Sequence, residues 1–205
     1  RSCIIVLCGC MPQAFSDKTE LFRGCDIVMR NTARRDIVAV LDEYLTERKP
    51  VVRIAPHAKD EGFEPMSISD FDERTRAFVK IEDGCNRFCS YCIIPYARGR
   101  VRSKPLEELG NEAKVLASRG YREIVLVGIN LSAYGQELGV DISDAVRTVC
   151  SVEGIERVRL GSIEPERMTR EMLTILAAEP KFCPHFHLSL QSGCDATLKR
   201  MRRHY

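Results

Sequence analysis

The chain has 205 residues, of which 44% are hydrophobic, which is enough for one large domain or one and a half. A net charge of +2 excludes a strong overall field that attracts nucleic acid, so any such contact must come from local patches. The longest early apolar run, CIIVLC, is too short for a signal sequence or a membrane span, which predicts a cytoplasmic protein with no membrane contact.

The first part of the chain alternates apolar strands with helical patterns. Strands are predicted over 3–8, 26–29 and 51–55, and helices over 12–22 and 35–48. This alternation predicts part of an α/β domain over residues 1–56. Residues 57–74 carry many charges without clean periodicity, which predicts a linker to the next domain.

From residue 75 onward, four strands are each followed by a helix. Strands are predicted over 77–83, 123–128, 157–162 and 185–190, and helices over 106–119, 141–152, 169–178 and 195–203. Successive strand–helix units predict a parallel sheet with helices outside it, either open or curled into a barrel, over residues 75–205. Because four strands leave a sheet edge uncovered, we expect the chain to be a piece of a longer protein.

The cysteines are the most informative residues. Ten occur among long helix and strand patterns, which do not fit a small secreted disulfide scaffold, so their thiols are predicted to be free for metal. Three lie close together in GCNRFCSYC, at Cys85, Cys89 and Cys92. They follow the strand over 77–83, and parallel α/β folds bind ligands at this carboxyl end of their strands. Polar neighbours argue against a purely packing role.

The spacing C-x3-C-x2-C favours one type of metal centre over another. A structural zinc site commonly uses four ligands in two C-x2-C pairs, and no second pair follows here. Short runs of cysteine thiolates hold iron–sulfur clusters. A four-iron cluster on three thiolates leaves one iron without a protein ligand, and an open coordination position indicates chemistry with an outside ligand. A non-catalytic zinc-binding interaction module stays the alternative of another class.

Two basic series have no single interpretation. Either could meet RNA phosphates or a cofactor carboxylate, or form a solvated surface, and the second is more typical of a surface. They are Arg98, Arg100, Arg102 and Lys104 after the cysteine loop, and Lys199, Arg200, Arg202 and Arg203 in the last helix.

The pattern C-x3-C-x-aromatic-C at the end of the first strand of the regular region resembles the radical S-adenosylmethionine (SAM) superfamily. The stretch EDGCNRFCSYCIIPYARGRVRS is similar to the methylthiotransferases within it. Four further stretches agree: CGCMPQ, LVGINLSAYG, RLGSIEPERMT and HFHLSLQSGCDATLKRMRRHY, so the resemblance spans essentially the whole chain. The segments ARGRVRS, GSIEP and LSLQSG are most similar to the members that modify N6-threonylcarbamoyladenosine at position 37 of tRNA.

The resemblance implies a fold and two cofactors. The fold is the carboxy-terminal half of a small α/β methylthiotransferase domain, followed by the first four β/α units of a partial (β/α) barrel. A 4Fe-4S cluster on the three cysteines binds SAM through its open iron, with Tyr91 beside the adenine. A second, sulfur-donating cluster has three cysteine ligands, of which Cys10 matches the third and the other two would lie before Arg1. We therefore expect one cluster in this chain and two in the full-length protein.

Residues at the ends of the later strands are further candidates for SAM binding, because the superfamily contacts SAM there. An interpretation as turn and helix-cap residues is equally compatible with the sequence. The candidates are Gly128, Asn130, Ser162, Glu164 and Gln191.

The resemblance also implies a reaction. A reduced cluster passes one electron to SAM, and the resulting deoxyadenosyl radical attacks the unactivated C–H bond at carbon 2 of the adenine ring. A second SAM supplies the methyl group, so the expected partners are tRNA, SAM and an electron donor. We expect the isolated chain to be inactive. Isopentenyladenosine in tRNA and an aspartate of a ribosomal protein are the alternative substrates.

Overall fold

The structure is a computed structural model that describes residues 3–58, 60–64 and 75–205. Most of the linker predicted over 57–74 lies outside these described residues. No helix in the described ranges is long and apolar enough to cross a membrane.

The amino-terminal unit is a three-stranded parallel sheet with the strand order β1-β2-β3. Ile27, Met29 and Val40 form its small core. The predicted helix over 12–22 is wrong in part, because only a short helix and a separate 3₁₀ turn occupy this region. The elements are β1 (Val6–Cys8), α1 (Cys10–Ala14), a 3₁₀ turn (Thr19–Phe22), β2 (Ile27–Met29), a second 3₁₀ segment (Asn31–Asp36), α2 (Ile37–Glu47) and β3 (Val51–Arg53).

The second unit is built around a sheet with the order β5-β4-β6-β7. Strands β4, β6 and β7 are parallel, as the strand–helix alternation predicts, but the short β5 runs antiparallel to β4. Neither β5 nor the short helix α3 was expected from the sequence. The elements are β4 (Ala77–Asp83), α3 (Ile94–Arg98), β5 (Arg102–Ser103), α4 (Leu106–Ser118), β6 (Glu123–Gly128), α5 (Ile142–Cys150) and β7 (Arg157–Leu160).

The third predicted strand is interrupted at Gly161. The backbone N–H of Gly161 still donates to the carbonyl of Leu126 at 2.8 Å, but the chain then leaves this sheet. The next two residues pair in parallel with the fourth predicted strand, which shortens to two residues. The elements are β8 (Ser162–Ile163), α6 (Arg170–Ala178), β9 (His187–Leu188) and α7 (Asp195–Met201).

The main core lies between the β4–β6–β7 sheet and helices α4, α5 and α6. Leu109, Ala113 and Leu116 repeat at helical spacing along one face of α4 and are fully buried. Helix α5 begins in a capping box. The Asp141 side chain accepts from the backbone N–H of Asp144, and the Asp144 side chain accepts from the backbone N–H of Asp141. The apolar face of α4 thus packs into the core, and the capping box fixes the residue at which α5 begins.

The interpretation of the first basic series as an RNA-binding or solvated run is wrong for most of its members. Arg102 and Lys104 are 6% and 2% exposed, and only Arg100 faces solvent. Lys104 forms an ion pair with Glu112, and Arg102 donates to the carbonyls of Arg98 and Arg100 at 2.9 and 3.0 Å. These two cations therefore pair with acids and carbonyls inside the fold and do not face solvent.

Two buried carboxylates lie at the end of β4. Asp83 accepts from the N–H of Gly84 at 2.9 Å and pairs with Lys80, Arg98 and Arg102. Burial raises the pKa of the Asp83 carboxyl, but these cations outweigh burial and leave the pKa below its usual value. Lys80 also lies near the neighbouring Glu82, but its charge does not outweigh the burial of that carboxyl. Burial and the nearby Asp83 charge raise the pKa of Glu82 to about 8.

Lys104→Met should lower the free energy of unfolding by about 3–5 kcal/mol, because Glu112 is then left as a buried charge without its partner. Urea denaturation measures the change. Lys114→Met, on the exposed side of the same helix as Glu112, serves as the control and should stay within about 0.5 kcal/mol of wild type. Equal effects of the two substitutions would contradict a structural role for Lys104.

Glu82 should make the protein less stable as the pH rises. The pKa of Glu82 is raised in the folded state. Its contribution to the free energy of unfolding is therefore full below about pH 4.5 and is lost as the pH rises through 8. Relative to Glu82→Gln, which cannot titrate, wild type should lose on the order of 1 kcal/mol of unfolding free energy per pH unit in this window. Urea denaturation from pH 5 to 8 tests this, with the exposed Glu153→Gln as a control. A constant difference between wild type and Glu82→Gln would contradict the assignment.

Candidate metal and cofactor site

A cavity of about 210 Å³ lies at the carboxyl ends of the strands, between the cysteine loop and the ends of β6, β8 and β9. The apolar side chains of Ile94 and Ile129 form part of its wall. Eight of the ten site residues predicted from the sequence line it: Cys85, Cys89, Cys92, Tyr91, Asn130, Ser162, Glu164 and Gln191.

The cysteine loop is held in a tight backbone conformation. Gly84 has a φ of 89°, and a Cβ at this position would lie 2.0 Å from the carbonyl oxygen of Arg100. The N–H of Cys85 donates to the carbonyl of Gly99 at 3.0 Å, and the N–H of Cys92 donates to that of Cys89 at 3.0 Å. The loop therefore closes against the end of α3, and its first cysteine requires glycine before it.

Two of the three thiols accept a hydrogen bond from a side chain outside the motif. The amide of Asn130 donates to Cys85 Sγ at 3.5 Å, and Nη1 of Arg203 donates to Cys89 Sγ at 3.2 Å. Burial raises the pKa of the Cys85 thiol, while the N–H of Arg87 and the Asn130 side chain act in the opposite direction. Donors of this kind stabilise a thiolate, which is the form that binds metal.

The donor set fits an iron–sulfur cluster. In the described part of the chain, no group of three or more His, Cys, Asp or Glu side chains is arranged to hold a single metal ion. A four-iron cluster makes a different demand, because each thiolate binds a different iron. Three thiols line one cavity and two of them accept an N–H, so these residues fit a cluster of this kind.

An ion-pair network forms the polar wall. Glu164 Oε1 accepts from Arg203 Nη1 at 2.8 Å, and Glu164 Oε2 lies 3.2 Å from Arg87 Nε. Arg87 also pairs with Glu166. The position of Arg203 was not expected from the sequence, in which it belongs to a basic series more typical of a surface. No local pattern could reveal it, since its partner Cys89 lies 114 positions away.

Two predicted site residues lie outside the cavity lining. Gly128 packs against the buried Glu82, because a Cβ at Gly128 would lie 2.7 Å from Glu82 Oε2. Cys10 is the first residue of α1 and contacts the guanidinium of Arg98, which also pairs with Asp83 before the cysteine loop. The roles predicted for Gly128 and Cys10 stay predictions.

Comparison with known proteins bears on this site. Residues 79–205 match the family model described as the Radical SAM superfamily. A threonylcarbamoyladenosine tRNA methylthiotransferase, MtaB, from Aquifex aeolicus is 38% identical over 98% of this chain and 49% of its own length. A tRNA-2-methylthio-N(6)-dimethylallyladenosine synthase from Pelotomaculum thermopropionicum is 34% identical over 98% of this chain and 46% of its own length.

Solved structures show the same fold at low identity. The radical SAM methyltransferase TsrM from Kitasatospora setae, with tryptophan and a SAM analogue bound, aligns with a TM-score of 0.66 at 15% identity. The alignment covers 98% of this chain and 45% of TsrM. This chain spans about half the length of the curated relatives it matches. With three cysteines around one cavity and a family match over residues 79–205, the chain belongs to the radical SAM superfamily, and its curated relatives there are tRNA methylthiotransferases.

Proposed function

We propose that this chain is part of a cytoplasmic enzyme that methylthiolates carbon 2 of N6-threonylcarbamoyladenosine at position 37 of tRNA. The observation that carries this proposal is the single cavity shared by Cys85, Cys89 and Cys92 with polar residues from the ends of β6 and β8. SAM and an electron donor are the partners that such chemistry needs. The proposal also interprets β4 and the later strands as the first units of a partial barrel.

Cys85, Cys89 and Cys92 would hold a 4Fe-4S cluster in this enzyme. Such a cluster supplies the electron that cleaves SAM, a step that no protein side chain performs. Around it, Asn130 and Arg203 direct N–H groups at the thiolates of Cys85 and Cys89. Asn130 is itself held in place, because its backbone N–H donates to the buried carboxyl of Glu82 at 2.6 Å.

The remaining residues of the cavity suit the parts of SAM. Tyr91 is 53% exposed beside the cysteines, so its ring offers a stacking face for adenine. Ser162, Glu164 and Gln191 offer hydrogen-bonding groups to the amino acid part. A cavity of about 210 Å³ is smaller than the roughly 300 Å³ at the lower end of ligand pockets, so it would enclose only part of SAM.

Cys10 is proposed as a ligand of the second, sulfur-donating cluster. The support for this proposal is a connection between Cys10 and the loop that carries Cys85. Arg98 contacts Cys10 on one side and pairs with Asp83 at 3.3 Å on the other. Asp83 precedes Gly84 and Cys85, so one buried ion pair connects both cysteine regions. Such a connection suits a reaction in which sulfur and the activated carbon must meet.

The choice of substrate rests on sequence similarity. Relatives named as acting on threonylcarbamoyladenosine reach 38% identity, whereas those named for dimethylallyladenosine reach 37%. This small margin, together with the segments ARGRVRS and GSIEP, favours threonylcarbamoyladenosine. The alternative is the dimethylallyladenosine for which the second group of relatives is named, and the experiment below must distinguish the two substrates.

Anaerobic reconstitution of the chain with iron and sulfide should give about four irons per chain and a broad absorption toward the blue. Cys85→Ala, Cys89→Ala and Cys92→Ala should each abolish this iron, because two thiolates do not retain the cluster against a chelator. Cys194→Ala, at an exposed thiol outside the cavity, is the control and should keep it. Full iron in Cys89→Ala, or a colourless zinc-bound product, would contradict the cluster.

The substrate is tested with the complete gene that contains this chain, expressed in a bacterium without its own methylthiotransferases. Mass spectrometry of tRNA nucleosides should show the 2-methylthio derivative of threonylcarbamoyladenosine, and Cys89→Ala should abolish it. Appearance of the dimethylallyl derivative instead would overturn the substrate assignment. Absence of both, in cells that contain the cluster-loaded protein, would overturn the proposed reaction.

A further inference from the structure

We propose that Arg203 is a positioning residue of the cysteine cavity, which directs positive charge at the Cys89 thiolate and makes the cluster easier to reduce. The inference rests on the proposed function in one respect, since it requires a cluster on the three cysteines. It goes beyond that function by assigning a role in electron acceptance to a residue far outside the cysteine motif.

The backbone brings Arg203 to the cavity. Helix α7 ends at Met201, and Arg202 then adopts the left-handed conformation with a φ of 57°. The N–H of Arg203 returns to the carbonyl of Leu198 at 3.0 Å, which closes the helix end. Ser90 of the cysteine loop also contacts this helix end. Its N–H donates to the carbonyl of Met201, and its hydroxyl donates to the carbonyl of Arg200.

The guanidinium of Arg203 is fixed on three sides. Its side chain is only 7% exposed, and Nη1 donates to both Cys89 Sγ and Glu164 Oε1, at 3.2 and 2.8 Å. Nε donates to the hydroxyl of Tyr205 at 3.2 Å, and that hydroxyl donates to the carbonyl of Ser189 at 2.6 Å. A buried cation must be paired, and here the thiol of Cys89 is one of its few partners.

Glu164 alone does not neutralise the charge of Arg203. Glu164 also pairs with Arg87, so two guanidinium groups share this carboxylate. Arg87 has Glu166 as a second acid, whereas the other acceptors of the Arg203 guanidinium are the Cys89 thiol and the neutral hydroxyl of Tyr205. The positive field of Arg203 therefore falls on the thiolate that would bind iron, in a buried region where charges interact strongly.

This arrangement has a defined effect on reduction. When a cluster gains one electron from the donor, its net charge becomes more negative by one. A cationic N–H donor at a ligand sulfur stabilises the more negative form, so it shifts the reduction potential upward. A side chain that only filled space or supported the fold would leave the potential unchanged.

The test compares Arg203→Gln with Arg202→Gln, a matched loss of one arginine at the exposed neighbouring position. Both variants and wild type are reconstituted and titrated with Ti(III) citrate while the absorption of the cluster is followed. Arg203→Gln should shift the potential downward and lose iron to a chelator several-fold faster, and Arg202→Gln should match wild type. Equal potentials for the two variants, even with lower stability of Arg203→Gln, would overturn the inference.

A second variant decides the matter if Arg203→Gln does not retain the cluster. Glu164→Gln removes the carboxylate that partly neutralises Arg203, so it should shift the potential upward. An unchanged or lower potential in Glu164→Gln would overturn the inference. Failure of the proposed function is distinguishable from failure of this inference. Without the cluster, wild type itself holds no iron; with a different reaction or substrate, the tRNA nucleosides change but the potentials do not; failure of this inference leaves wild type loaded and the two arginine variants at equal potentials.

Discussion

The buried ion-pair cluster around Asp83 is the interaction on which the rest of the site depends. Asp83 ends β4 and accepts the N–H of Gly84, so it fixes the point at which the chain leaves the sheet. Arg98 and Arg102 converge on the same carboxylate from the far end of the cysteine loop. The loop is thus tied at both ends to one charged group, and its three thiols keep their positions relative to the strands.

The same cluster joins the two units of the chain. Arg102 lies 3.9 Å from Glu61, and Glu61 accepts from the hydroxyl of Thr32 in the amino-terminal unit at 2.7 Å. Glu61 also pairs with His57, whose ring approaches the carbonyl of Ala97. The burial of so much charge is costly unless every partner is present. The geometry of the cysteine loop and the docking of the amino-terminal unit are therefore not independent properties.

Much of the fold could be predicted from the sequence because the patterns that specify it are local. The alternation of apolar runs with amphipathic segments predicted β4, β6, α4 and α5 to within a few residues, and cysteine spacing located the loop at a strand end. The break at Gly161 could not be foreseen. A run from 157 to 162 reads as one strand, and only the pairing of β8 with β9 shows that it divides.

The inward direction of Arg102 and Lys104 and the position of Arg203 were missed for a common reason. Each is decided by a partner on another element, Glu112 for Lys104, Asp83 for Arg102 and Cys89 for Arg203, and a cation alone in a sequence resembles a surface residue. Eight predicted residues nevertheless gather at one cavity, since parallel strands bring their carboxyl ends to one edge. The sequence therefore located the site better than it described the contacts within it.

The contact between Ser90 and the end of α7 has a consequence for how the protein is made. It joins positions 110 residues apart, so the wall of the cavity is incomplete until almost the whole described chain has folded. Chains fold from the amino terminus as they are synthesised, and Cys85, Cys89 and Cys92 leave the ribosome well before Arg203. The three thiols therefore pass through a period without the Arg203 contact, during which they are open to oxidation or to the wrong metal. Iron and sulfide delivered before that contact forms would meet three thiols with an incomplete cavity wall, whereas later delivery would meet the complete cavity.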